Sequence, residues 1–262
     1  IMCCAHQFKE GDVQHWWHYP SGVGVRTKIS DDRLWIPYVV SYYIEKTGDT
    51  EILNVEVPYL EMQNLQPHED SIYAIPNISE EKGNVLDHCM RAVNSSLKFG
   101  IHGLPLVGSG DWNDSLNSVG DEGKGESIWL AWFILATLSE FIKVLEKIDR
   151  KEDADRLNKI YEELKNNVNK HGWDEEWYLR AYFDEGTLLV SRINNECAID
   201  SISQSWSIIS GAAPLEKQKE AMINHEKYLE DKENNLVKLL APPFKNSVPF
   251  PGYIQGYPEG TR

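Results

Sequence analysis

Between Ile128 and Leu145 apolar residues return every three or four positions: Ile128, Ala131, Trp132, Leu135, Leu138, Ile142 and Leu145. That spacing lines one side of a 3.6-residue helix. A helix predicted over 125–148 must be covered by other elements, so it constrains the fold more than any other stretch. Glu126 falls in its first turn, where the helix dipole favours negative charge. A second predicted helix, 151–170, is charged and has a thin apolar stripe of Ala154, Leu157, Tyr161, Leu164 and Val168. Periodicity also predicts helices over 31–48, 81–99, 199–212 and 214–230. The first is opened by Asp31 and Asp32 as capping residues and closed by Gly48. Residues 51–62 read as a helical turn, 63–80 with Pro67 and Pro76 as a loop, and 173–190 as a short β-hairpin. Residues 241–262 carry Pro242, Pro243, Pro249, Pro251 and Pro258 and read as irregular. The expected class is all-α, with no internal boundary, so that 1–262 forms one domain.

The net charge of −15 excludes a nucleic-acid partner, which needs a positive surface. No apolar run reads as long enough to span a bilayer, and no signal-peptide pattern opens the chain. Cys3, Cys4, Cys89 and Cys197 fit neither a zinc ribbon nor a disulfide framework. Reduced thiols and a cytoplasmic location are expected, including the cytoplasmic part of a larger membrane-associated enzyme.

The unusual residues gather in the connections, where binding groups commonly sit. In 103–115, GLPLVGSGDWNDS, the run Asp111, Trp112, Asn113, Asp114 sets two carboxylates and an indole among glycines. A carboxylic acid can protonate a departing glycosidic oxygen, and an aromatic face can stack on a pyranose. A helix-capping turn explains the same letters. In 11–32 stand Trp16, Trp17, Arg26 and Asp32. Trp16 or Trp17 suits sugar stacking, and Arg26 and Asp32 suit vicinal hydroxyls. A packed aromatic loop is the alternative. His15 and His18 lack a third ligand at metal-site spacing, so no metal is expected. In 194–206, Glu196 and Asp200 flank a helix start, and Gln204 and Trp206 either face a cleft or pack. In 249–262, Tyr253, Tyr257 and Arg262 suit a ligand-facing loop.

Taken together, EGDVQHWWHYPSGVGVRTKISDD, GLPLVGSGDWND, GKGESIWLAWF, WYLRAYFDEGT, ECAIDSISQSW and PGYIQGYPEGTR resemble the inverting glycoside phosphorylases of glycoside hydrolase family 94. Within it the likeness is to the phosphorylase region of cyclic β-1,2-glucan synthases and to the β-1,2-oligoglucan phosphorylases. The resemblance covers nearly the whole chain. It implies part of an (α/α)6 barrel, truncated at both ends. It places the proton donor on Asp114, a glycone contact on Trp112, further sugar contacts on Arg26 and Asp32, and Tyr257 near the scissile bond. Ser115 stands where close relatives usually have glycine, and tolerance is expected. The family continues past the position of Arg262 with a glutamate and a phosphate-binding histidine. The chain is therefore expected to be a piece of a longer protein. A homodimer or a larger multidomain chain is the implied assembly.

The implied reaction is inverting phosphorolysis of a β-glucoside, a β-1,2-glucan or its oligomers, to α-glucose 1-phosphate and a shortened sugar. Inorganic phosphate is co-substrate and no cofactor is expected. An inverting hydrolase needs a second carboxylate to activate water, whereas phosphate is already an anion. The alternatives are such a hydrolase, with Glu196 as first candidate base, and a non-catalytic carbohydrate-binding fragment of a larger glucan-processing enzyme.

Overall fold

The computed structural model describes residues 1–66 and 68–257. The chain forms two compact units, one of residues 1–98 and 140–157 and one of residues 99–139 and 158–262.

The first unit contains β1 (Gln14–Trp17), β2 (Gly24–Thr27), α1 (Trp35–Thr47), β3 (Glu56–Glu61), β4 (Ser71–Ala74), β5 (Asn77–Asn84) and α2 (Val85–Ser96). β2 is the centre of an antiparallel sheet in the order β1-β2-β4, and β3 pairs with β5. Pro58 cannot donate to the ladder, and the register slips between Pro58 and Leu60. The core is built from Phe8, Leu34, Ile36, Ile44, Tyr59, Val85, Cys89 and Val93, all buried. α2 starts at Val85 because Asn84 accepts from the Asp87 N–H at 2.9 Å and Asp87 accepts from the Asn84 N–H at 3.1 Å. That reciprocal pair is a capping box. The capping expected of Asp31 and Asp32 is not made. A 3-10 turn, Asp32–Leu34, precedes α1, and neither the turn nor the helix has a side-chain cap. Gly48 closes α1 at φ 74°, a left-handed conformation glycine enters without strain.

The second unit contains β6 (Glu126–Ser127), most of α3 (Ile128–Lys147) and of α4 (Lys151–His171), then β7 (Ala181–Tyr182), β8 (Leu188–Leu189), β9 (Ile199–Asp200), α5 (Ser201–Ile209), α6 (Leu215–Leu229), β10 (Glu230–Asp231), β11 (Leu236–Val237) and β12 (Leu240–Ala241). β7 joins β6 to β8, so the expected hairpin forms and gains a third strand. Ile128 through Leu135 are each at most 1% exposed, so α3 is apolar on every side. By length and composition α3 could cross a membrane, contrary to the expectation from sequence. Here 78% of that stretch is buried in protein.

The all-α expectation is overturned: the structure is mixed. Six α-helices share the described residues with twelve strands in five small sheets. Most strands are two to four residues long, too short for a period-2 pattern to register. Residues 51–62, read as a helical turn, form one only over Glu51–Asn54, a 3-10 turn, and then run into β3, while 63–80, read as a loop, hold β4 and the start of β5.

Candidate functional site

The loop carrying Asp114 is pinned at both ends and from below. Its ends meet where the Val107 N–H donates to the Gly125 carbonyl at 2.9 Å. Asp184 accepts from the N–H groups of Glu122, Lys124 and Gly125, each at 2.8 Å. Gly108 and Gly110 take φ of 65° and 137°, conformations that favour glycine. Ser115 needs no such conformation, consistent with its standing in for glycine.

The two carboxylates of the D-W-N-D run have different surroundings. Asp111 is fully buried. Its Oδ2 accepts from Arg180 Nη1 at 2.7 Å and from Ser127 Oγ at 2.6 Å, and its Oδ1 accepts from Arg180 Nη2 and from the Asn113 N–H. This bidentate, charge-assisted pair leaves Asp111 no lone pair for a ligand. Arg180 Nε also faces Asp200 Oδ2 at 3.3 Å. Burial opposes the Arg180 charge, but Asp111 and then Asp200 hold it above the ordinary arginine value. Burial likewise raises the Asp200 carboxyl to about 6, with Arg180 pulling the other way. Asp114 is only half-buried, in a turn, beside Trp112, which is 47% exposed. Asn113 closes the turn by accepting from the Ser115 N–H at 3.1 Å.

The segment 251–257 docks on the same loop. The Ile254 N–H donates to the Ser115 carbonyl at 3.1 Å and the Tyr253 N–H to Asn117 Oδ1 at 3.1 Å. Tyr257 packs half-buried against the core at that point, its ring 6.2 Å from that of Tyr253. Asp114, Trp112 and the Tyr257 segment therefore belong to one loop assembly. Arg262 lies outside the described residues.

Gln204 is fully buried on α5 and is not part of that surface. It accepts from the Tyr178 N–H and donates to the Tyr178 carbonyl, both at 2.8 Å, so its amide clamps backbone. Asp200 caps α5 through the Ser203 N–H at 3.1 Å. Glu196 accepts from the Lys245 N–H at 2.7 Å, the Asn246 N–H at 3.1 Å and Ser247 Oγ at 2.6 Å. These bonds, that of Ser247 first, hold its carboxyl below the usual range. It borders an open cleft of about 340 Å³ with Asn194, Asn246 and Ser247.

In the first unit, Arg26 and Trp16 lie on opposite faces of one sheet. Trp16 is directly across from Val25, and Arg26 is the next residue on β2. Arg26 is 3% exposed, and all five of its donors are spent. Nε and Nη2 bind Asp12 at 2.7 and 2.8 Å, Nη2 also binds Glu10 at 3.0 Å, and Nη1 binds the carbonyls of Met62 and Gln63. Any sugar hydroxyl reaching Arg26 would have to displace one of these. Asp32 is partly exposed and holds the His15 ring at 3.0 Å. Trp16 is 43% exposed.

Sequence reasoning missed Arg180 and Ser127. The signal for Arg180 was a lone cation inside Tyr178-Leu179-Arg180-Ala181, since a buried arginine requires counter-charges.

Comparison with known proteins fits this geometry into a family. The chain is 40% identical to the cyclic β-(1,2)-glucan synthase NdvB of Rhizobium meliloti (strain 1021), over 100% of this chain and 9% of the relative. It is 32% identical to the solabiose phosphorylase of Paenibacillus borealis, over 97% of this chain and 30% of that protein. The chain thus spans under a third of the length of these relatives. Among solved structures, a rhamnosidase from Klebsiella oxytoca with rhamnose bound matches the fold at TM-score 0.53, with 16% identity over 84% of this chain and 34% of that one. The model of the glycosyl hydrolase 94 superfamily catalytic domain matches residues 1–262, and the chain belongs to that family.

Proposed function

We propose that this chain contributes the acid side of a glycoside phosphorylase acting on β-glucosides. Asp114 donates a proton to the interglycosidic oxygen. Phosphate attacks the anomeric carbon from the opposite face, and α-glucose 1-phosphate leaves with a shortened sugar. The carrying observation is the division of labour within Asp111–Asp114. Asp111 is consumed by Arg180 and Ser127, whereas Asp114 rides half-exposed beside an open indole on a pinned loop. A fixed acid contributes through position as well as proton transfer. Trp112 stacks on the glucosyl ring, and Tyr257 flanks the bond that breaks. In the first unit Asp32 and Trp16 contact sugar. Arg26 serves by tying Asp12 and Glu10 to the Met62 and Gln63 carbonyls, and Gln204 by clamping the Tyr178 backbone, since their polar groups are engaged within the protein.

A β-1,2-linked glucan is the proposed substrate, supported by the resemblance to the glucan synthase. Hydrolysis is less favoured because Glu196, the candidate base, is ringed by three donors. The test is release of glucose 1-phosphate from a panel of β-linked glucosyl disaccharides and β-1,2-gluco-oligosaccharides, with and without phosphate. Sugar release that persists without phosphate would assign the site to a hydrolase. Binding with no release in either condition would leave a carbohydrate-binding module.

A further inference from the structure

We propose that the outer face of the β1-β2-β4 sheet is a glucan-binding platform on which Tyr73 is a principal contact. The proposal rests on the β-glucan reading above.

The register builds the platform. Val25 on the central strand lies across from Trp16 on one side and from Tyr73 on the other. Directly paired residues share a face, so the two rings lean over a small aliphatic side chain and meet 5.6 Å apart. His18 completes the group, 5.2 Å from Trp16 and 6.2 Å from Tyr73. Tyr73 is 58% exposed.

The chemistry favours a sugar over a polypeptide. The interplanar angles are 42°, 76° and 89°, so the rings use edges on one another and no pair stacks face to face. Each ring also carries a polar tip: a phenol hydroxyl, an indole N–H and imidazole nitrogens. Apolar faces beside hydroxyl-seeking tips suit a ligand whose own surface alternates C–H and O–H. None of the three side chains is a fixed charge, which suits a neutral ligand in a chain of net charge −15. The platform is continuous with a proposed sugar contact, because His15, next to Trp16 on β1, holds Asp32.

The experiment is calorimetric titration of the protein with a linear β-1,2-linked glucan oligosaccharide in the absence of phosphate. Tyr73→Ala is expected to weaken binding by about fivefold to tenfold, and Tyr73→Trp to restore it. Circular dichroism checks that both variants fold, as the exposure of Tyr73 leads us to expect. Binding by Tyr73→Ala equal to that of the unaltered protein would overturn the proposal, as would no binding to the unaltered protein. Self-association that disappears in Tyr73→Ala would give the face to a second copy and likewise overturn it. The two readings fail separately. Titration retained without phosphate-dependent turnover removes the reaction and keeps the platform, whereas turnover retained with Tyr73→Ala titrating normally removes the platform alone.

Discussion

Three positions apart in the sequence, Asp111 and Asp114 have opposite surroundings, one buried against Arg180 and the other half-buried beside an exposed indole. Removing one partner of a buried ion pair leaves the other charge uncompensated, at a cost of roughly 3–5 kcal/mol. Asp111→Ala is therefore expected to lose stability on that order in chemical denaturation, because Arg180 would remain buried with only Asp200 beside it. Asp200 makes a pH-dependent contribution. Its carboxyl is raised from 3.8 to about 6, so between those values the native chain holds a proton that the unfolded chain releases. This group's contribution is fully present below pH 4 and is lost as pH rises through 6. Urea midpoints at pH 4.5 and 6.5 should show that slope, and Asp200→Asn should remove it. The letters D-W-N-D suggest acid chemistry, but they could not say which aspartate is buried against a cation. That depended on Arg180 and Ser127, distant in sequence and brought beneath the loop only by the fold.

At the level of elements, the helices and the β7–β8 hairpin were readable and the other strands were not. α3, α4 and α6 carry their apolar periodicity within themselves. β4 and β5 derive their pairing from β2 and β3, which no local pattern reveals. This is why Tyr73 was hidden in an expected loop. The start of α2 was misplaced because the capping box at Asn84, not the apolar pattern, sets it. Asn84→Ala should lower stability by ~1 kcal/mol, read as a drop in Tm. In the loop that carries Asp114, Gly110 at φ 137° leaves an L side chain strained, at a cost of about 1–3 kcal/mol. Gly110→Ala is expected to lower kcat while the far-ultraviolet spectrum stays native. Unchanged kcat would mean that the backbone there does not hold the acid in place.

At the scale of the molecule, the proposed reaction joins an acid fixed on a pinned loop to an oxyanion that needs no base. General acid catalysis contributes about 10²–10⁴-fold, so its loss is large enough to separate from effects on binding. The decisive measurement is phosphate-dependent release of glucose 1-phosphate by Asp114→Asn beside the unaltered enzyme, with saccharide binding titrated in parallel. Turnover should fall at least about a hundredfold with binding retained. A variant that keeps more than a few per cent of turnover, roughly the lower bound for losing a general acid, would show that the proton comes from another group.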